Sequence, residues 1–220
     1  MQKIKRVSAK EQVLSSLRMS IFNGDLQPNQ EITQEEIANL LGVSRMPVRD
    51  AFQILDREGI IQIHDTRRVT VIGLTKADVI DHYNIRAFLE GMAAEKACEH
   101  PEFFADLKNI HEQIVKIAEE ETNNGYDYVS LNEAFHKTIW EASKSARLYA
   151  LLSDLWNGLQ PQFPEFVNFQ VETSVIEHEH MLQAILNQDT NRAREQAQNH
   201  VKRTKGDFLA HFHLNENNNE

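Results

Sequence analysis

Cysteine is nearly missing from this chain. Cys98 is the only one in 220 residues, so no disulfide framework can form within it. A thiol in a helical pattern reads as a small buried hydrophobe rather than a redox group, and the lack of disulfides suits a reducing cytoplasm. Long apolar runs are missing too. No stretch approaches the about 20 residues needed to span a bilayer, and the N-terminus lacks the apolar core of a signal peptide; the expectation is a cytoplasmic protein with no membrane attachment. Positive charge is scarce, 23 Lys and Arg against 33 Asp and Glu for a net charge of −10. A uniformly acidic surface would repel nucleic acid.

The deficit is uneven, however. Through residue 74 ten Lys and Arg meet nine Asp and Glu, whereas beyond it thirteen meet twenty-four. The length allows two small domains with separate cores, and charge divides them near residue 74. Any contact with DNA must come from the near-neutral first part.

That part contains a probe suited to a DNA groove. Residues 33–41 read as a short helix with Ile37, Ala38, Leu40 and Leu41 on its apolar face, and Gly42 is free to take the left-handed conformation that stops it. Ser44 is placed to cap a second helix, in which Pro47 sits early enough that its missing donor costs little. At 100° per residue Val48, Ala51, Phe52, Ile54 and Leu55 share one arc, while Arg45, Met46, Arg49 and Gln53 fall on the other. Arg45 and Arg49 are one turn apart, and each guanidinium is a planar fork that matches guanine O6 and N7 or two phosphate oxygens. A solvated arginine pair is the plainer reading; the turn, the cap and the arginines together favour a helix-turn-helix. Next, Ile60, Ile61 and Ile63, then Val69, Val71 and Ile72, flank a turn that carries Arg67 and Arg68. This is a β-hairpin placed as a wing, its arginines either reaching flanking DNA or simply solvated.

The first 72 or so residues resemble the DNA-binding domain of the GntR family of bacterial transcription regulators. The resemblance rests on Leu17-Arg18, Ile21, Gly24, Leu26, Pro28, Ile32, Ile37-Ala38, Leu41-Gly42-Val43-Ser44-Arg45, Pro47-Val48-Arg49, Leu55 and Glu58-Gly59. It implies that Arg45 and Arg49 read or clamp an operator with Ser44 and Met46 beside them. Asn29 stands where glycine is usual and Met46 where threonine is common. An apolar, flexible Met46 suits a thymine methyl better than a phosphate.

Beyond Gly73-Leu74, Thr75 can cap a helix, and the pattern stays helical nearly to the end, with no competing strand pattern. Helices are expected at 76–99, 102–123, 127–143, 145–159, 171–187 and 190–212, with breaks at Pro101, Asn123-Asn124-Gly125 and Pro161 to Pro164. The fold class is therefore mainly α: a winged helix-turn-helix with a small β-hairpin over 1–74, an antiparallel six-helix bundle over 75–214, and a disordered tail over 215–220. A bundle interior is a natural pocket.

Histidines carry the chemistry of the second part. Asn132 and His136 share a helical face, and His178 and His200 lie on the next two long helices. Imidazoles from three helices, with an amide oxygen as a weaker donor, suit a divalent transition metal; spacing alone favours hydrogen-bonded packing histidines. Residues 76–212 resemble the FCD ligand-binding domain of the FadR branch of GntR regulators, on Arg86, Leu89-Glu90, Ala93-Ala94, Asn132, Phe135-His136, Glu177-His178, Ala184-Ile185, Asp189, Ala193 and His200. The resemblance implies a metal, zinc foremost and nickel next, held by Asn132, His136, His178 and His200, and six helices imply the VanR-like subgroup. His178 is preferred to His180 because its distances to Asp189 and His200 keep the family register. Arg86, near Tyr83, would be costly inside a bundle without an anion. That anion is either an internal carboxylate such as Glu90 or the carboxylate of a small organic-acid effector, which the resemblance implies.

The leading expectation is a metabolite-responsive transcription regulator, a homodimer on a pseudo-palindromic double-stranded operator. The rival is a metal-dependent hydrolase using the histidine-rich site. Against it, His111-Glu112 and His178-Glu179 both lack the second histidine of a His-Glu-x-x-His run, and a recognition helix would serve a hydrolase no purpose.

Overall fold

The computed structural model describes residues 8–65, 68–119, 126–159 and 164–211, with side chains for all but 126, 157–170 and 211. They form two compact units, one reaching Asp78 and one spanning Val79–His211.

In the first unit, α1 (Ala9–Phe22) opens with a capping box between Ser8 and Glu11 and buries Val13, Leu14, Leu17 and Ile21. α2 (Gln34–Leu41) is boxed by Thr33 and Glu36 and stops at Gly42, whose φ of +65° is the left-handed turn expected there. α3 (Arg45–Arg57) packs Val48, Ala51, Phe52 and Leu55 into the core with none of their surface exposed. Ser44 stands at its N-cap, but its side chain makes no capping hydrogen bond, which corrects the expected cap. Arg18 on α1 reaches Glu58, just past α3, with Nη2 2.6 Å and Nε 3.3 Å from the carboxylate oxygens. This two-point, largely buried ion pair fixes the two helices against each other.

The wing is larger than the expected hairpin. β2 (Ile61–Ile63) and β3 (Val69–Val71) pair antiparallel, Gln62 opposite Thr70, and β1 (Glu31–Ile32) adds to the far side of β3, giving the order β1-β3-β2. Two residues are too short to show a period-2 pattern, so β1 left no trace in the sequence. Asn29 prepares it: its φ is +66° and its N–H donates to the Val71 carbonyl at 2.8 Å. Among common residues asparagine follows glycine in tolerating that backbone region, which explains how it replaces the usual glycine. The Asp56 carboxylate accepts from the Ile63 N–H at 2.7 Å and ties the wing to α3.

The second unit holds six α-helices among the described residues: α4 (Lys76–Ala97), α5 (Phe104–Ala118), α6 (Tyr126–Ala142), α7 (Ala146–Leu159), α8 (Pro164–Leu186) and α9 (Thr190–His211). Thr75 and Asp78 box the start of α4. A 3-10 turn at Pro101–Phe103 precedes α5, so that helix starts two residues later than its pattern suggested. α8 begins at Pro164, seven residues earlier than expected. A proline at the first helical position lacks only a donor that would have no intrahelical partner, and so the residue read as a break is a start. Asn123-Asn124-Gly125, Pro161 and the 215–220 tail lie outside the described residues. The core runs through Phe135, Ile139, Trp140, Leu152, Trp156, Met181 and Ile185.

Candidate functional site

α3 presents one face to the core and the other to solvent. On the outer face Met46 is 65% exposed, and the Arg45 and Arg49 side chains are 66% and 55% exposed. Arg45 meets Glu35 of α2 at 2.7 Å and Arg49 lies 3.8 Å from Asp50. Both pairs are water-exposed, where such contacts contribute little, so phosphates or base edges can displace the carboxylates. Arg68 beside the wing meets Glu31 at 2.8 Å in the same way, and Arg67 lies outside the described residues. Ser44 stands at the start of this surface.

In the helical unit α6, α8 and α9 bring His136, His178 and His200 together. All three are buried, and one ligand nitrogen from each lies within 4.8 Å of the others. Ring centroids are 5.3 Å apart for His136 and His178, 5.2 Å for His136 and His200, and 4.8 Å for His178 and His200. Among the described residues, His136 Nε2 and both nitrogens of His178 are buried without a hydrogen-bond partner. A buried polar atom left unpaired costs about 1–3 kcal/mol, so His136 Nε2 and one nitrogen of His178 leave room for a shared partner; the two nitrogens of one imidazole point apart and cannot both meet it. A borderline-soft divalent cation that takes imidazole nitrogen fits this donor set. Burial holds His178 well below the ordinary imidazole range, and it takes His200 to about 4 despite the neighbouring Glu177. Both rings are neutral at physiological pH, as metal ligation needs. Asn132, one turn before His136, is half-buried, and His180, two residues past His178, is exposed.

Behind these rings stands a shell that sequence reasoning identified only in pieces. Glu90 of α4 accepts from His136 Nδ1 at 3.4 Å and from Trp140 Nε1 at 2.7 Å on one oxygen, and from Arg86 Nε and Nη2 at 3.3 Å on the other. Burial opposes its charge, but His136, Arg86 and Trp140 outweigh burial and hold the carboxyl at about 2. The Arg86 guanidinium also lies 4.4 Å over the Trp156 ring, a favourable seat for a buried cation. Of the two anions considered for Arg86, the internal one is present. Tyr83, one turn before Arg86, is buried, and that burial raises its hydroxyl pKa against the opposing pull of Arg86. Across the site Glu177 accepts from His200 Nδ1 and Arg203 Nε, both at 2.7 Å. The signals for this shell were the four-residue spacing of Arg86 and Glu90 and the three-residue spacing of His200 and Arg203, each of which shares a helical face. His111 is a packing residue, with Nε2 3.3 Å from the Val175 carbonyl.

The family model for the FCD domain matches residues 81–203, and that for bacterial regulatory proteins of the gntR family matches residues 9–71. The chain belongs to the GntR family and carries an FCD domain. Similar proteins include an HTH-type transcriptional regulator of Bacillus subtilis, YdhC, 27% identical over 91% of this chain and 86% of its own length. The gluconate operon transcriptional repressor of the same organism is 27% identical over 84% of this chain and 79% of its own. The solved structure of Escherichia coli McbR covers 96% of this chain and 100% of its own with a TM-score of 0.60 at 22% identity, a likeness of fold. This GntR regulator is thus a DNA-binding transcription regulator and not an enzyme, and the hydrolase reading finds no support. No helix among its described residues is long and apolar enough to cross a membrane.

Proposed function

We propose that this GntR regulator, of the VanR-like subgroup, is a cytoplasmic homodimer that binds a pseudo-palindromic operator and responds to a small carboxylate through a metal-containing helical unit. The observation that carries the reading is the buried histidine triad with unpartnered nitrogens, within the same chain as an anchored helix that exposes Arg45 and Arg49. Ser44, Met46, Arg67 and Arg68 complete the DNA surface. Zinc, or nickel in its place, is held by His136, His178 and His200 with Asn132 as oxygen donor; when bound, the metal supplies a positive charge that attracts a carboxylate. A neutral Asn132 adds no compensating charge.

Tyr83 and Arg86 are the proposed effector contacts. Both are buried on α4, and Arg86 connects through Glu90 to His136. An operon named for gluconate, a hydroxy carboxylate, is controlled by one relative, which supports an organic acid as signal. Two copies are what a pseudo-palindrome requires. Ile85 and Phe88, 55% and 62% exposed one turn apart on α4, give a strip for a second copy to cover.

The test has two arms. Replacing Arg45 or Arg49 by alanine should weaken operator binding by about 1–3 kcal/mol, and unchanged gel-shift affinity in both variants would refute the DNA surface. Small carboxylates screened by thermal shift should stabilise the protein less after chelator treatment. Equal shifts in both states would separate the effector from the metal.

A further inference from the structure

The two outer histidines of the triad are backed in the same way. His136 Nδ1 faces Glu90, whose other oxygen is held by Arg86; His200 Nδ1 faces Glu177, whose other oxygen is held by Arg203. Trp140 Nε1 adds a third donor to Glu90 at 2.7 Å, and Ser174 Oγ accepts from Arg203 Nη2 at 2.8 Å. Asp207, one turn beyond Arg203, pairs with it as well. Four helices thus supply two His-Glu-Arg chains: α4 and α6 build one, α8 and α9 the other. The third ring, His178, has no acceptor on either nitrogen among the described residues.

A carboxylate that accepts from Nδ1–H leaves Nε2 as the lone-pair nitrogen, fixes the ring plane and raises its donor strength. Each glutamate must stay ionised to do this inside a core. The arginine on its far oxygen provides for that, and it also cancels the charge that a buried carboxylate would otherwise add. We propose that Glu90 and Glu177 are paired positioning residues, kept in place by Arg86 and Arg203, which hold His136 and His200 as Nδ1–H tautomers so that both offer Nε2 to one cation. His178 is the ligand without such backing, and its orientation comes from packing, its ring 4.7 Å from that of Phe135. The inference rests on the metal-site reading above.

The experiment uses the full chain, with Glu90→Gln and Glu177→Gln as single variants. Zinc affinity is measured by chelator competition, and 15N spectra of the zinc-loaded protein report the histidine tautomers. Removing an outer partner of this kind costs 10–100-fold in metal affinity. A loss of about tenfold or more in each variant is expected, measured at a temperature where far-ultraviolet circular dichroism shows the variant folded, with Nδ1–H signals for both outer histidines in the parent; Glu90→Gln also lowers metal-free melting, because it leaves the buried Arg86 without its carboxylate. Arg203→Lys keeps a cation near Glu177 and should recover most of the affinity that Arg203→Ala loses. If the parent binds zinc tightly but His136 or His200 ligates through Nδ1, the inference is overturned; so it is if both glutamine variants keep parental affinity. If the parent binds no zinc, the metal-site reading itself fails, and the inference with it.

Discussion

Asn29 shows how one residue can sustain a departure from a family pattern. Its φ of +66° lies where a β-carbon is strained, and its N–H is committed to the Val71 carbonyl. The side chain of asparagine tolerates that region, glycine does so without strain, and alanine pays about 1–2 kcal/mol. Asn29→Gly should therefore leave stability nearly unchanged, while Asn29→Ala should lower it by about 1 kcal/mol in denaturant unfolding. Equal destabilisation by both would mean that the asparagine side chain, rather than its backbone tolerance, is what matters. Cys98 shows the opposite situation: it is buried, its thiol donates to the Ala94 carbonyl at 3.4 Å, and burial pushes its pKa up to about 11. The expectation of an inert packing cysteine agrees with that placement.

At the scale of elements, α4 and α9 approach closely because position 91 is glycine. A β-carbon there would meet Cγ of Gln198 at 2.8 Å and Cγ of Arg194 at 3.1 Å. An alanine regains about 1 kcal/mol of helix propensity, which offsets part of the crowding, whereas leucine adds bulk that the flanking side chains must yield to. Gly91→Leu is expected to destabilise the helical unit by about 1–3 kcal/mol and Gly91→Ala much less, as read by thermal melting followed in the helical signal. On the same helix Phe88→Glu should shift the protein toward monomer in sedimentation and weaken binding to a two-half-site operator more than to one half-site; an unchanged dimer would move the interface elsewhere. The long amphipathic helices were legible because periodicity survives over four or more turns. Tertiary pairing decided the rest. β1 exists only because β3 offers it an edge, and α8 extends back to Pro164 although proline reads as a break. The three histidines could be chosen from ten only through the family resemblance, which did not join them to their outer carboxylates, since Glu90 and Glu177 reach partners 46 and 23 residues away.

For the molecule as a whole, the histidine triad links stability to pH and, through the proposed metal site, to zinc. In chelator-treated protein, burial favours the neutral forms of His178 and His200, the latter down to about 4. The unfolded chain takes up protons near the ordinary imidazole value of about 6.5. Between about pH 6.5 and 4 the unfolded state therefore binds more protons than the folded one, so the stability present above pH 6.5 is lost as pH falls through that window. Melting of the metal-free protein should drop steadily across it, and His200→Gln, which removes one of the two groups, should flatten the decline. At the proposed site zinc would act on the same atoms from the other direction. A free concentration a thousand times its dissociation constant would add about 4 kcal/mol to the folded state, and protons would compete with the metal for the ring nitrogens, so the gain should shrink as the medium is acidified. The His136→Ala, His178→Ala double variant should show neither the zinc-dependent rise in melting temperature nor its pH dependence. If zinc raised the melting of that variant as much as that of the parent, the ion would be acting at a site other than the triad.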